Sequence, residues 1–494
     1  MNLVRRNITA NLVGQGWIAL MGLVFVPFYL KFIGAEGYGL VGFFTVLSTS
    51  LSILDVGLSA AAVREVAKIR DASAAERVQV ALLLRSIEVI LWAIAFAVGF
   101  LVVLAAPLMA EYWLRVEPSK VESTINGLRL MGCALILQFP MTFYNGCLIG
   151  QQRQLAVNLI GSLSATIRGG GAVIVLWLVA PTLEAFFTWQ CIVGALTVLS
   201  LRASLRQELR FLPGTCFFDI SSVAGVKNFS LGVGGVNVLS FLLTQIDKII
   251  LSKILPIHMF GYYMLAWALG TLCSRLVGPV FNTYYPRLIE LVNSGKSEEL
   301  QLTYLKASQV MGALIAPVSI WLIFYSDPLL FLWTQDADLA SSASVALKLI
   351  VAGTMLNALV TMPYALQLAR GWTKLALWQN LLAVLFVIPA TFLLAKLYSL
   401  SGAALPWFLL NLSYILISVP IMHRYFLFSA KKTWYLRGVI LPIFASTTLV
   451  VGVDALLTIS GIEEPTVAVI AVNLFASMGM VFYLLIWRGR SRQV

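Results

Sequence analysis

Residues 154–180 read QLAVNLIGSLSATIRGGGAVIVLWLVA, an apolar run with Arg168 near its middle. Residues 259–285 read MFGYYMLAWALGTLCSRLVGPVFNTYY, and Arg275 takes the same place there. About 20 apolar residues in helical form cross a bilayer, so each run is long enough to span one. A guanidinium at mid-depth costs at least about 2.5–3.5 kcal/mol on insertion scales, and a charge kept at that cost asks for a use. The simplest use is to hold an anion inside a polar cavity, which makes the chain a candidate carrier of something negative.

The rest of the sequence fits that setting. Of 494 residues, 60% are hydrophobic and 11% charged, with a mean hydropathy of +0.90, far from the range of soluble domains. Hydropathy predicts an all-α integral membrane protein of about fourteen transmembrane helices, near 8–33, 37–63, 80–109, 125–149, 154–180, 182–203, 229–255, 259–286, 304–332, 342–369, 373–397, 401–424, 437–457 and 466–487. The first run is long enough to stay in the membrane, so no cleavable leader is expected. Run length and the lack of polar alternation favour helices over barrel strands.

Charge tests the same map. Arg5, Arg6, Arg64, Lys68, Arg77, Arg153, Arg202, Arg206, Arg287, Lys296, Arg370, Lys374, Lys431, Lys432 and Arg437 fall on one side of it. The other side has Lys31, Arg115, Lys120, Lys253 and Lys396 together with Glu36, Glu111, Glu117, Glu122, Glu184, Asp327, Asp336, Asp338, Glu463 and Glu464. The positive-inside rule then predicts a multi-pass protein with both termini cytoplasmic. The net charge of +12 follows from that bias, reinforced by attraction to membrane lipids, and implies no nucleic-acid partner. Cys133, Cys147, Cys191, Cys216 and Cys273 are scattered without metal-ligand spacing, so no metal or cofactor is expected.

A polar interruption near residues 204–228 reads as an amphipathic cytoplasmic connector or an extension of the sixth helix. It separates a first six-helix bundle, 1–203, from a second, 229–426, and residues 427–494 hold two additional helices. Tyr29–Ile33 followed by Gly37-Tyr38-Gly39 is echoed by Leu251–Leu255 followed by Gly261-Tyr262-Tyr263. Such a repeat implies a pseudo-two-fold axis along the membrane normal.

Asn11-Leu12-Val13-Gly14, Pro27–Lys31, Gly34-Ala35-Glu36-Gly37-Tyr38-Gly39-Leu40, Leu54-Asp55-Val56-Gly57-Leu58 before Arg64, and Gln245-Ile246-Asp247-Lys248 occur in an order that resembles the polysaccharide and O-antigen flippases. That family shares a superfamily with multidrug extrusion carriers and peptidoglycan-precursor flippases. The resemblance covers roughly residues 7–425. It implies two six-helix bundles around a cavity, alternating access, and an undecaprenyl-pyrophosphate-linked oligosaccharide as cargo, with other polysaccharide-assembly membrane proteins as partners.

Among intramembrane charges, Arg85, Arg168, Arg275 and Lys248 are the candidate substrate-binding cations. Asp55, Asp247, Arg64 and Arg287 are candidates for gating or ion coupling. Local alternatives stay open: Arg85 can pair with Glu88 one turn on, Asp247 can neutralise a neighbouring cation, and Arg129 and Lys348 can snorkel to water. Gly169-Gly170-Gly171 either weakens the helix or admits a close neighbour. Asn11, Gln15, Asn158, Asn237, Gln245, Asn282, Asn357, Gln379 and Asn380 are candidate sugar contacts or ties between helices. A cation extruder would need cavity carboxylates. A membrane polymerase or ligase would need a larger outer loop, and His258 and His423 lie at opposite membrane faces, so the chain is not expected to be an enzyme.

Overall fold

The computed structural model describes residues 3–55, 57–69, 73–209, 218–224, 227–459, 472–475 and 479. These residues form helices joined by short links, with no β-sheet among them. Ten helices are long and apolar enough to cross a membrane, which makes this a multi-pass membrane protein. The predicted span 466–487 lies almost wholly outside the described residues, as do the side chains of Arg5, Arg6, Asn237 and Cys216.

Several predicted spans are divided by backbone breaks. The expected helix 8–33 becomes α1 (Leu3–Val24) and the first part of α2 (Val26–Leu51). Pro27 explains the break, since it has no N–H for the preceding turn and its ring crowds that turn's carbonyl. Within α2, Gly34 has φ 69° and ψ 178°, a conformation that residues with a Cβ essentially never adopt, so the helix direction changes there. The next break lies between Asp55 and α3 (Leu58–Lys68), where Gly57 has φ 76°. Asp55 accepts from the Ser59 N–H at 3.1 Å and its hydroxyl at 2.7 Å, satisfying a donor of the first turn. The expected helices 373–397 and 401–424 form one apolar stretch, Lys374–Phe426, bent at Ser399 where φ is 52°.

The chain divides into two compact units, Met1–Gly261 and Tyr262–Val494. In the first, α4 (Ala74–Leu108) packs on α5 (Val121–Gln138), α6 (Met141–Gly150) packs on α3, and α7 (Gln154–Leu178) lies between α1 and α8 (Leu183–Glu208). A short α9 (Ile220–Ala224) and α10 (Lys227–Ile254) complete it. Where α4 crosses α5 the backbones touch: a Cβ on Gly132 would sit 2.7 Å from the Gly99 carbonyl oxygen. In lipid, where apolar burial gives little net drive, such close packing is a main source of helix association.

Polar ties supply the rest. Glu88 on α4 accepts from Arg85 at 2.9 Å, from Arg202 of α8 at 2.8 Å and from Tyr144 of α6 at 2.7 Å. One carboxylate therefore joins three helices.

The division falls inside α11 (Ile257–Gly270), so the second unit begins at Tyr262 of that helix. It contains α12 (Val277–Asn293), α13 (Ser297–Phe324), α14 (Ser326–Thr334), α15 (Ala337–Ala369), α16 (Lys374–Ser413), α17 (Val419–Phe426), α18 (Ala430–Thr433) and α19 (Leu441–Ile459). α15 is central, packing against α12, α13 and α16. Asn357 on α15 donates to Asn411 on α16 at 2.8 Å, and Tyr325 donates to Asp454 on α19 at 2.7 Å. Lys348 pairs with Asp327 at 2.9 Å instead of reaching to water alone.

Two outcomes are expected from this packing. Glu88→Ala strands Arg202 and Tyr144 and should destabilise the protein by roughly 2 kcal/mol, with Glu88→Gln milder because it still accepts. Gly132→Leu should cost about 1–3 kcal/mol by forcing α4 and α5 apart. Thermal unfolding of the detergent-solubilised chain measures both.

Candidate functional site

The first unit has an open-sided cavity of about 400 Å³ between α1, α2, α5, α7 and α8. Its polar lining comprises Tyr29, Thr45, Ser48, Thr49, Gln138, Arg168 and Gln190, beside apolar Ile18, Met21, Val41, Phe44 and Phe186. None of the lining residues is acidic.

Arg168 reaches this cavity from α7, which stays helical through Gly169, Gly170 and Gly171. The triplet is therefore no helix breaker here; it is a seat for aromatic rings. A Cβ on Gly169 would run into the Phe25 ring, and one on Gly171 into the Trp189 indole. Trp189 Nε1 donates to the Ile167 carbonyl at 3.0 Å, and the Tyr29 hydroxyl to the Gly169 carbonyl at 3.3 Å. Tyr29 also meets Phe186 edge-on at 5.2 Å. These rings fix the α7 backbone on both sides of Arg168, so they set where its guanidinium is presented.

Arg168 makes no ion pair or hydrogen bond with another described residue. Its five N–H donors thus remain for a guest. Gln138 Oε1 is buried without a hydrogen-bond partner in the same lining, and Gln190 is buried beside it. Thr45 and Thr49 donate to the Val41 and Thr45 carbonyls, which leaves their oxygens as acceptors. An arginine with amide and hydroxyl groups suits an anion that carries hydroxyls.

The other predicted residues are placed differently. Arg85 is bound to Glu88 within the three-helix tie. Lys248 is 2% exposed and donates to both Asp247 carboxylate oxygens, at 3.1 and 3.2 Å, and to the Thr244 carbonyl at 2.5 Å. Desolvation explains the arrangement: a buried ammonium needs its acceptors close by. Asp55 is committed to Ser59 at the start of α3. Arg64 is exposed 3.8 Å from Glu65, and exposed Arg287 donates to Glu290 at 2.6 Å and Glu299 at 3.3 Å. Arg275 is exposed in the second unit, on the 3₁₀ turn Leu272–Leu276, without an ion pair to a described residue.

Gln138 and Gln190 were missed as candidates, although a glutamine inside an apolar span is the signal that singled out the other amides. Several of those amides serve as ties between helices. Asn11 donates to Gln154 at 3.1 Å and accepts from Asn158 at 2.6 Å; Gln379 donates to Ser418, and Asn380 accepts from Tyr414 at 3.3 Å. Glu88 was read as a local partner of Arg85, whereas its reach to Arg202 and Tyr144 depends on tertiary packing. Asp454 was overlooked.

Known proteins now bear on this geometry. The profile of the polysaccharide biosynthesis protein family matches residues 4–292. A Shigella flexneri protein named for O-antigen transport is 21% identical over 403 residues, covering 81% of this chain and 93% of its own length. The lipid II flippase MurJ, in an inward closed conformation, aligns with a TM-score of 0.70 at 13% identity, over 96% of this chain and 97% of that one. An inward-facing multidrug resistance MATE transporter of the MOP superfamily aligns with a TM-score of 0.67 at 12% identity, over 84% of this chain and 96% of that one. The fold is therefore that of the MOP-superfamily transporters, and by sequence the chain belongs to the polysaccharide biosynthesis protein family, the group its motifs resemble.

Proposed function

We propose that this transporter moves an undecaprenyl-pyrophosphate-linked oligosaccharide, an O-antigen or similar polysaccharide repeat unit, from the cytoplasmic to the outer leaflet of the bacterial inner membrane. The observation that carries the reading is Arg168, without an ion-pair partner among the described residues, in a cavity whose described lining has no carboxylate. A pyrophosphate entering such a space exchanges hydration for charge-assisted hydrogen bonds in a medium where they are strong. Gln138, Gln190 and the hydroxyls of Thr45, Ser48 and Thr49 suit glycan hydroxyls.

Arg168 and Arg275 are the cations assigned to the cargo, because Arg85 and Lys248 already hold carboxylates. The cycle is alternating access between two six-helix bundles, 1–203 and 229–426, with both termini cytoplasmic. Arg64 and Arg287, exposed and paired with glutamates, are assigned to the cytoplasmic gate, and Asp55 and Asp247 to ion coupling. The competing reading, extrusion of organic cations, is disfavoured by the same lining: a lipophilic cation placed beside Arg168 meets repulsion and no carboxylate.

In a strain lacking the gene, Arg168→Gln is expected to reduce surface glycan roughly tenfold or more at equal protein abundance, the loss of one or two charge-assisted hydrogen bonds. Arg168→Lys should fall between, since it keeps the charge and loses the fork. Wild-type glycan levels in both Arg168→Gln and Arg275→Gln would remove these residues from the mechanism. With purified protein, a polyprenyl pyrophosphate should raise the unfolding temperature and tetraphenylphosphonium should not; the opposite order would favour the cation carrier.

A further inference from the structure

An open groove of about 340 Å³ lies in the second unit and is lined by Arg370, Gly371, Trp372, Tyr425 and Phe426. It sits where the link between α15 and α16 meets the end of α17. Trp372 packs against Tyr425 and Phe426, with ring centres 5.2 Å apart in each case, and the Arg370 guanidinium lies over the Phe426 ring at 5.6 Å. A guanidinium lying over a ring still has N–H donors to offer an acceptor beside it. Arg370 makes no ion pair with a described residue.

The surroundings select the sign and the setting of the ligand. Residues 370–374 and 424–432 contribute Arg370, Lys374, Arg424, Lys431 and Lys432 and contain no acidic residue. Tyr425 is 70% exposed and Phe428 74% exposed at the helix end, the position that aromatic rings take at headgroup depth. Free phosphate would use the cations and leave the rings in water, whereas a phospholipid uses both.

We infer that this groove binds the phosphodiester headgroup of an anionic phospholipid, with Arg370 on the phosphate and Trp372, Tyr425 and Phe426 around the glycerol and upper acyl region. The site is distinct from the Arg168 cavity, and its test does not depend on the cargo.

The test uses the full chain in nanodiscs and in detergent, with phosphatidylglycerol, phosphatidylcholine and a polyprenyl pyrophosphate as probes, and counts retained lipid by native mass spectrometry. Phosphatidylglycerol should be retained over phosphatidylcholine. Arg370→Gln should weaken that retention about fivefold, the worth of one basic residue near an anionic headgroup. Trp372→Ala should weaken it as well, Arg370→Lys should preserve most of it, and Lys306→Gln, an exposed cation on α13, should leave it unchanged. Unfolding temperatures of each variant separate lost binding from lost folding, with Arg370→Lys deciding if Arg370→Gln is unstable. Equal retention by Arg370→Gln and the parent would overturn the inference, as would an equal loss in Lys306→Gln. Displacement of phosphatidylglycerol by the polyprenyl pyrophosphate in the parent but not in Arg370→Gln would assign the groove to cargo and overturn the phospholipid.

Discussion

A charge inside a bilayer has no water to fall back on, and this constraint orders most of what the structure shows. Each intramembrane charge must find a partner or face a cavity. Glu88 gathers Arg85, Arg202 and Tyr144; Asp247 holds Lys248; Asp454 takes the Tyr325 hydroxyl. These groups are settled before any cargo arrives. Arg168 follows the other branch, and its lack of a partner among the described residues is what gives the cavity chemical character.

Presenting an unpaired guanidinium requires a rigid support, and the aromatic residues provide it. Phe25 and Trp189 occupy the space left by Gly169 and Gly171, and Tyr29 anchors to the Gly169 carbonyl. The helix therefore keeps its hydrogen bonds while losing the bulk that would have kept the rings away. Small residues serve differently at Gly99 and Gly132, where two backbones meet directly.

The helical membrane architecture was legible because it rests on local quantities: run length and hydropathy. Arg168 was legible for the same reason, a charge at the centre of an apolar run. What surrounds it was not. Tyr29, Gln138 and Gln190 come from three other helices, and nothing in their spacing along the chain records that they converge. The contacts of Lys248 and Asp55 were hidden in a similar way, since a charge in a span looks alike whether or not it meets a neighbour one to four residues away. The breaks at Phe25, Gly34 and Ser399 depend on backbone geometry, and of these only Pro27 left a strong mark in the composition.

The segment between Phe25 and Gly34 is a short rod with a joint at each end, and Tyr29 is on it. Its phenol reaches across to α7 one residue beyond Arg168. Tilting the rod would draw that hydroxyl from its carbonyl and open or narrow the chamber wall. The chamber wall is thus tied to the path of the chain at two backbone breaks that do not themselves line it.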